Sequence, residues 1–155
     1  MDIDIGLKKE DRKAIADGLA RVLADTSMLY QKTHAYHWNV TGPMFSSLHT
    51  LFETQYTELH DAVDLLAERI RALGHFAPGS YAKYSALTSI ADGDDAPPAL
   101  DMVRALVEGN EAVTRTARTA FGPAEKAGDQ PTMDLLTQRM QASEKAAWML
   151  RSHLG

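Results

Sequence analysis

The chain has 155 residues, 45% of them hydrophobic, with no cysteine and a formal net charge of −5. That size suits one domain with a buried core, and the lack of cysteine excludes disulfides, thiolate nucleophiles and sulfur-ligated metals, so any metal must sit on nitrogen and oxygen. The acidic balance excludes a globally basic surface for gripping phosphates, and no apolar run approaches the roughly 20 residues that cross a bilayer.

The start, "MDIDIGLKKEDRKA", is charged where a secretory leader would be apolar, which points to a soluble, cytoplasmic protein. Helical spacing follows almost everywhere. Ile15, Leu19, Val22 and Leu29 recur at threes, fours and a seven, so 8–38 reads as one long amphipathic helix. "VTGPMF" breaks it, and Gly42 and Pro43 suit the start of a second helix. Its apolar stripe of Leu48, Phe52, Leu59, Val63, Leu66, Ile70 and Leu73 runs to a stop at Gly74. The next stretch, up to Pro98, is rich in Gly, Pro, Ser and Asp and is predicted to be a connection with a short helix over 81–90. A third long helix is predicted over 98–121, closed by Gly122 and Pro123. A fourth spans 131–154, with Met133, Leu136, Met140, Ala147, Leu150 and Leu154 on heptad-like spacing and Ser143 as the one polar member.

Two long helices, a connection and two more long helices predict an all-α fold: a ferritin-like four-helix bundle with one long crossover that carries a short extra helix. A simple up-down bundle is the competitor. No repeat, low-complexity tract or domain linker appears, so 1–155 is expected to form a single domain.

The chemistry gathers where the first helix ends and the second begins. Three of the six histidines, His34, His37 and His49, fall within sixteen residues. Along the second helix, His49, Glu53, Tyr56, His60, Asp64 and Glu68 fall within a sector of about 120°, beside the apolar stripe. The apolar face packs inside the bundle, which leaves the His/carboxylate face to meet solvent or a second subunit. A metal site inside one bundle would use Glu-x-x-His motifs on two helices, and this chain has none. On spacing alone, the charged face reads as solvated, Trp38, Phe45 and Tyr36 read as core, and His34, His60, His75 and His153 read as structural.

The whole string "HWNVTGPMFSSLHTLFETQYTELHDAVDLLAERIRALG" closely resembles the signature of the Dps family, mini-ferritins that protect DNA in starved or oxidatively stressed bacteria. That signature is HWNV-x-G, then F-x-x-LH, an acid four residues later, then D-x-x-AER-x-x-x-LG. The resemblance continues through "PGSYAKYSALTSI" in the crossover and "EKAAWMLRSHL" in the last helix. It implies ferroxidase ligands at His37, His49, Asp64 and Glu68, with Glu53 where many members carry Asp, a departure that lengthens the arm by one methylene. Trp38 and Asn39 match the pattern beside the site.

The resemblance further implies a twelve-subunit hollow shell in which twofold-related subunits share each centre, His37, His49 and Glu53 coming from one and Asp64 and Glu68 from the other. Imidazole and carboxylate suit Fe(II), Zn(II) and Mn(II) alike; the family favours iron, two ions per site, oxidised by hydrogen peroxide and stored as Fe(III) mineral. Iron entry through acidic threefold pores makes Glu125, Asp129 and Asp134 pore candidates, although Asp129 is equally explained as a helix cap before Pro131. DNA binding is expected to be weak, because the first thirteen residues balance four acids against four bases and no basic tail is visible. Two other readings stay open: a DNA-condensing or structural shell with a weak or zinc-occupied site, and a non-catalytic helical oligomer.

Overall fold

The computed structural model describes residues 2–155 and, among them, five helices and no strand. The helices are α1 (Lys9–Asn39), α2 (Phe45–Ala72), α3 (Tyr81–Leu87), α4 (Ala99–Ala127) and α5 (Gln130–Arg151). The apolar stripes read from the sequence supply the core: Ile15, Leu19, Val22 and Leu29 of α1 and Leu48, Phe52, Leu66 and Ile70 of α2 are buried, as expected when one face of each helix turns inward. α2 stops at Gly74, whose φ of 92° lets its N–H return to Arg71 while the N–H of His75 reaches Ile70.

The close approaches set the directions. A Cβ on Gly18 would lie 3.1 Å from that of Ala120, and one on Gly109 would lie 2.6 Å from Leu29 Cδ1. Early α1 therefore meets late α4, and the two run antiparallel. The guanidinium of Arg12 on α1 donates to the carbonyl of Leu73 just past α2 at 3.0 Å, so α2 is also antiparallel to α1. With α2 and α4 parallel, the chain between them must travel the length of the bundle, which is the ferritin-like crossover rather than the up-down alternative.

Three expected boundaries move. α3 ends at Leu87, short of Ile90, because the next residues turn toward Asp25, a fully buried acid of α1. Its carboxylate accepts hydrogen bonds from the Thr88 hydroxyl (2.7 Å), the Ser89 N–H (2.6 Å), the Ser89 hydroxyl (2.8 Å) and the Thr116 hydroxyl of α4 (2.6 Å). Those four donors satisfy a buried charge and staple the crossover to two helices. α5 begins at Gln130 and ends at Arg151, and its inward face carries buried Thr132 and Arg139 in addition to Ser143.

The third shift is in α4, which runs through Gly122 and Pro123 to Ala127. Gly122 has no Cβ to clash with the following proline ring. The true stop is Gly128, at φ 72°, with its N–H on Glu125 and that of Asp129 on Ala124. Proline has no N–H to return to the Thr119 carbonyl. Pro123→Ala should therefore raise stability by about 1–2 kcal/mol, the gain in the helix being partly offset by a looser unfolded chain. A thermal unfolding midpoint unchanged or lowered against the parent would contradict this.

Candidate metal centre

The five residues between α1 and α2 bring the last turn of one helix beside the first turn of the next. His37 is almost fully buried at the end of α1, and His49, half-buried, faces it from α2. Their rings stack with centroids 3.8 Å apart and planes 15° apart. His37 Nδ1 lies 2.8 Å from the His49 carbonyl oxygen, and His49 Nδ1 lies 2.7 Å from the His37 carbonyl oxygen. A carbonyl only accepts, so each Nδ1 carries the proton and donates it, and each Nε2 keeps its lone pair. A histidine that binds metal is oriented in this way, through its other nitrogen. Phe45 stacks on His49 at 5.0 Å and Tyr56 lies nearly perpendicular to His37 at 5.2 Å, so packing holds both rings as well.

Glu53 is exposed one turn beyond His49, on the same side of α2. Asp64 and Glu68 are exposed on that helix too, but fifteen and nineteen residues past His49, or about 22 and 28 Å along the axis. The fold thus joins the two histidines, sets Glu53 close in register, and keeps the other two carboxylates apart from them. Among the described residues, no three His, Asp or Glu side chains converge as a metal site within the chain. The two Nε2 atoms supply nitrogen donors, and Glu53 in register one turn on is an oxygen donor; these donor types suit iron, though the chain alone does not gather them into a site.

Trp38 is 59% exposed and contacts His34, with ring centroids 4.3 Å apart. Asn39 turns the other way, its amide donating to the Asp95 carbonyl at 3.1 Å, where it ties the crossover to α1. His34, read from the sequence as structural, belongs to an aromatic stack behind the histidine pair. Its ring lies 4.1 Å from Tyr56 at 26°, and its Nδ1 is 3.3 Å from the Tyr30 hydroxyl. Burial lowers the His34 pKa, and the neighbouring His37 lowers it further. Its position three residues before His37, on one helix face, was the available signal.

Of the pore candidates, Glu125 and Asp134 are exposed on either side of the α4–α5 turn. Asp129 is buried and caps α5. Its carboxylate accepts from Arg69 at 2.7 Å, from the Thr132 hydroxyl at 2.6 Å and from the Thr132 N–H at 3.2 Å. Asp129 is thus a helix cap whose carboxylate is engaged inside the subunit.

A ferritin-like domain model matches residues 16–155. The DNA protection during starvation protein 2 of Bacillus anthracis is 35% identical over 142 residues, covering 92% of this chain and 97% of its own length. The Dps crystal structure from Vibrio cholerae superposes with a TM-score of 0.94 at 31% identity, covering 100% of this chain and 98% of that one. The chain belongs to the Dps family. A low temperature-induced protein of Nostoc sp. is 40% identical over 154 residues, 98% of this chain and 86% of its own. The Vibrio cholerae Dps is described as a member of a broad superfamily of ferritin-like diiron-carboxylate proteins. In this Dps chain His37 and His49 are held by their reciprocal bonds, and no helix among the described residues is long and apolar enough to cross a membrane.

Proposed function

We propose that this Dps chain is a ferroxidase and iron-storage protein that oxidises Fe(II), preferentially with hydrogen peroxide, and keeps the Fe(III) as mineral inside a twelve-subunit shell. His37, His49 and Glu53 of one subunit and Asp64 and Glu68 of its twofold partner would hold the iron. The observation that carries this reading is the pair of reciprocal Nδ1–carbonyl bonds between stacked rings, which leave both Nε2 lone pairs available. The spread of the carboxylates along α2 supports sharing, because one chain cannot close the site and a second chain running past it can. Glu53, Asp64 and Glu68 would balance the cation charge.

Two Fe(II) ions each give one electron to one peroxide, which with two protons becomes two waters. Hydroxyl radical is not released, and DNA is protected by removal of both reagents. Iron is favoured over zinc and manganese by family membership, since the donor atoms suit all three. Glu125 and Asp134 remain the candidates for an acidic entry pore.

Anaerobic Fe(II) titration followed by peroxide should give two Fe(II) oxidised per peroxide by a protein that sediments as one large discrete shell. A monomer at micromolar concentration, or no peroxide-driven oxidation, would overturn the reading. DNA binding should be weak or absent at neutral pH and physiological salt, because the chain carries a net charge of −5 and binding of this kind rests on phosphate neutralisation. A tight, sequence-independent gel shift under those conditions would show that its surface charges are concentrated for that purpose.

A further inference from the structure

The crossover closes over a groove on the side of α1 that faces away from the metal centre. Lys32 and Tyr36 each sit about 160° around α1 from His34, and the groove runs between α1, α4 and residues 89–95 with no residue of α2 in its lining. Two adjoining cavities, of about 130 and 380 Å³, share Lys32, Tyr36 and Ile90 to Gly93. The groove is therefore elongated.

Tyr36 is 3% exposed, yet among the described residues its hydroxyl makes no hydrogen bond, and it points at Gly93, 3.8 Å from where a Cβ there would lie. A polar group so placed calls for a partner. Lys32 Nζ comes within 3.9 Å of the same point, so the missing side chain of Gly93 leaves a gap between a hydroxyl and an ammonium. Burial raises the Tyr36 pKa, and Asp94 and Asp95 raise it further, which places both carboxylates on the hydroxyl side of the gap. Asp92 and Glu108 act on Lys32. Among the described residues none of these four acids has an ion-pair partner.

These features specify a ligand. A divalent metal ion needs oxygens gathered about one point, and no three acids converge in this way among the described residues. Carboxylates strung along a groove suit separate positive charges joined by methylenes. Lys32 already shows the fit. Its half-buried side chain lies beside Met28 and Ile90, and its ammonium donates to the Ala91 carbonyl at 2.6 Å, apolar stem on apolar wall and charged head on oxygen.

We propose that this groove binds a linear polyamine, with one ammonium donating to the Tyr36 hydroxyl beside Asp94 and Asp95 and another lying toward Asp92 and Glu108. The tyrosine oxygen can accept as well as donate, so a bound ammonium supplies the partner that the fold leaves out.

Spermidine titrated calorimetrically into the assembled protein at physiological salt tests the site. Saturable binding at one per chain is expected, weakened at least severalfold in Tyr36→Phe and in Gly93→Leu. The first removes a hydroxyl that has no bond to lose, and the second fills the gap from an exposed position where a Cβ meets only ordinary contacts. Should either variant unfold below the parent's midpoint, the doubly substituted Asp94→Asn, Asp95→Asn protein takes its place, with the same loss expected. Binding that does not saturate, or that is equal in parent and variants, overturns the site. Butylamine, with one ammonium, should bind at least severalfold more weakly than spermidine, and equal affinity overturns the second ammonium position. Magnesium ion at matched ionic strength should leave spermidine binding unchanged; one-for-one displacement overturns the polyamine in favour of a metal.

Discussion

Mixed shells built from His37→Ala and Asp64→Ala subunits should recover part of the Fe(II) oxidation that either variant alone loses. On the proposed ligand set each substitution removes one ligand from every centre and should cut peroxide-driven oxidation by about tenfold or more, since even loss of a group that merely supports a ligand costs that much. Both should stay helical, because His37 sits at the end of α1 and Asp64 is exposed. If the two residues come from different subunits, a twofold pairing of the two variants leaves one centre with both ligands and its neighbour with neither. Activity at such an interface should return to at most half. With coassembly verified by mass, mixtures no more active than the single variants would refute the shared centre and return the histidines to a packing role.

Arg69→Ala should be the most damaging single substitution for stability among those considered. Arg69 donates to Asp129 at 2.7 Å and to the Thr132 hydroxyl at 2.9 Å, where the Asp129 side chain is 1% exposed. Removing the cation leaves a buried carboxylate with only the Thr132 hydroxyl and N–H as donors, and breaking a buried pair from one side typically costs about 3–5 kcal/mol. Adding Asp129→Asn to Arg69→Ala should win back part of the loss, because the amide oxygen can still accept from the Thr132 N–H without an unpaired charge. Thermal unfolding at fixed protein concentration would measure both, assembly being linked to stability. A double variant no more stable than Arg69→Ala would show that the arginine acts through packing alone.

The long helices were legible in the sequence because each buries one stripe at helical spacing, and the crossover because Gly, Pro and Asp cannot continue that spacing. Less legible were features set by residues far apart in the chain. The end of α3 depends on Asp25, more than sixty residues earlier, and a stripe of side chains carries no sign of a carboxylate arriving from another helix. Pro123 was misleading for a local reason: glycine before it removes the steric block that makes proline a helix stop. Of the residues that the family motif names as ligands, His37, His49, Glu53, Asp64 and Glu68, the structure pairs only the two histidines. The tautomer of the two histidines was hidden, since it depends on carbonyl groups that only the packed helices bring within reach. His34 had a local signal in its spacing from Tyr30 and His37, but its stacking on Tyr56 of α2 could not be read from the sequence.

The two bonds between His37 and His49 make the turn from Val40 to Met44 a measuring device. Each imidazole is anchored to the backbone of the opposite helix, so the pair closes only when both helices hold one relative rotation and height. Inserting or deleting a single residue in that turn would rotate the start of α2 by about 100° and undo both bonds together. Natural or engineered length variation should therefore be tolerated in the crossover far more readily than between these two helices, and a library of loop lengths would reveal this as a sharp asymmetry in which variants keep the histidine pair.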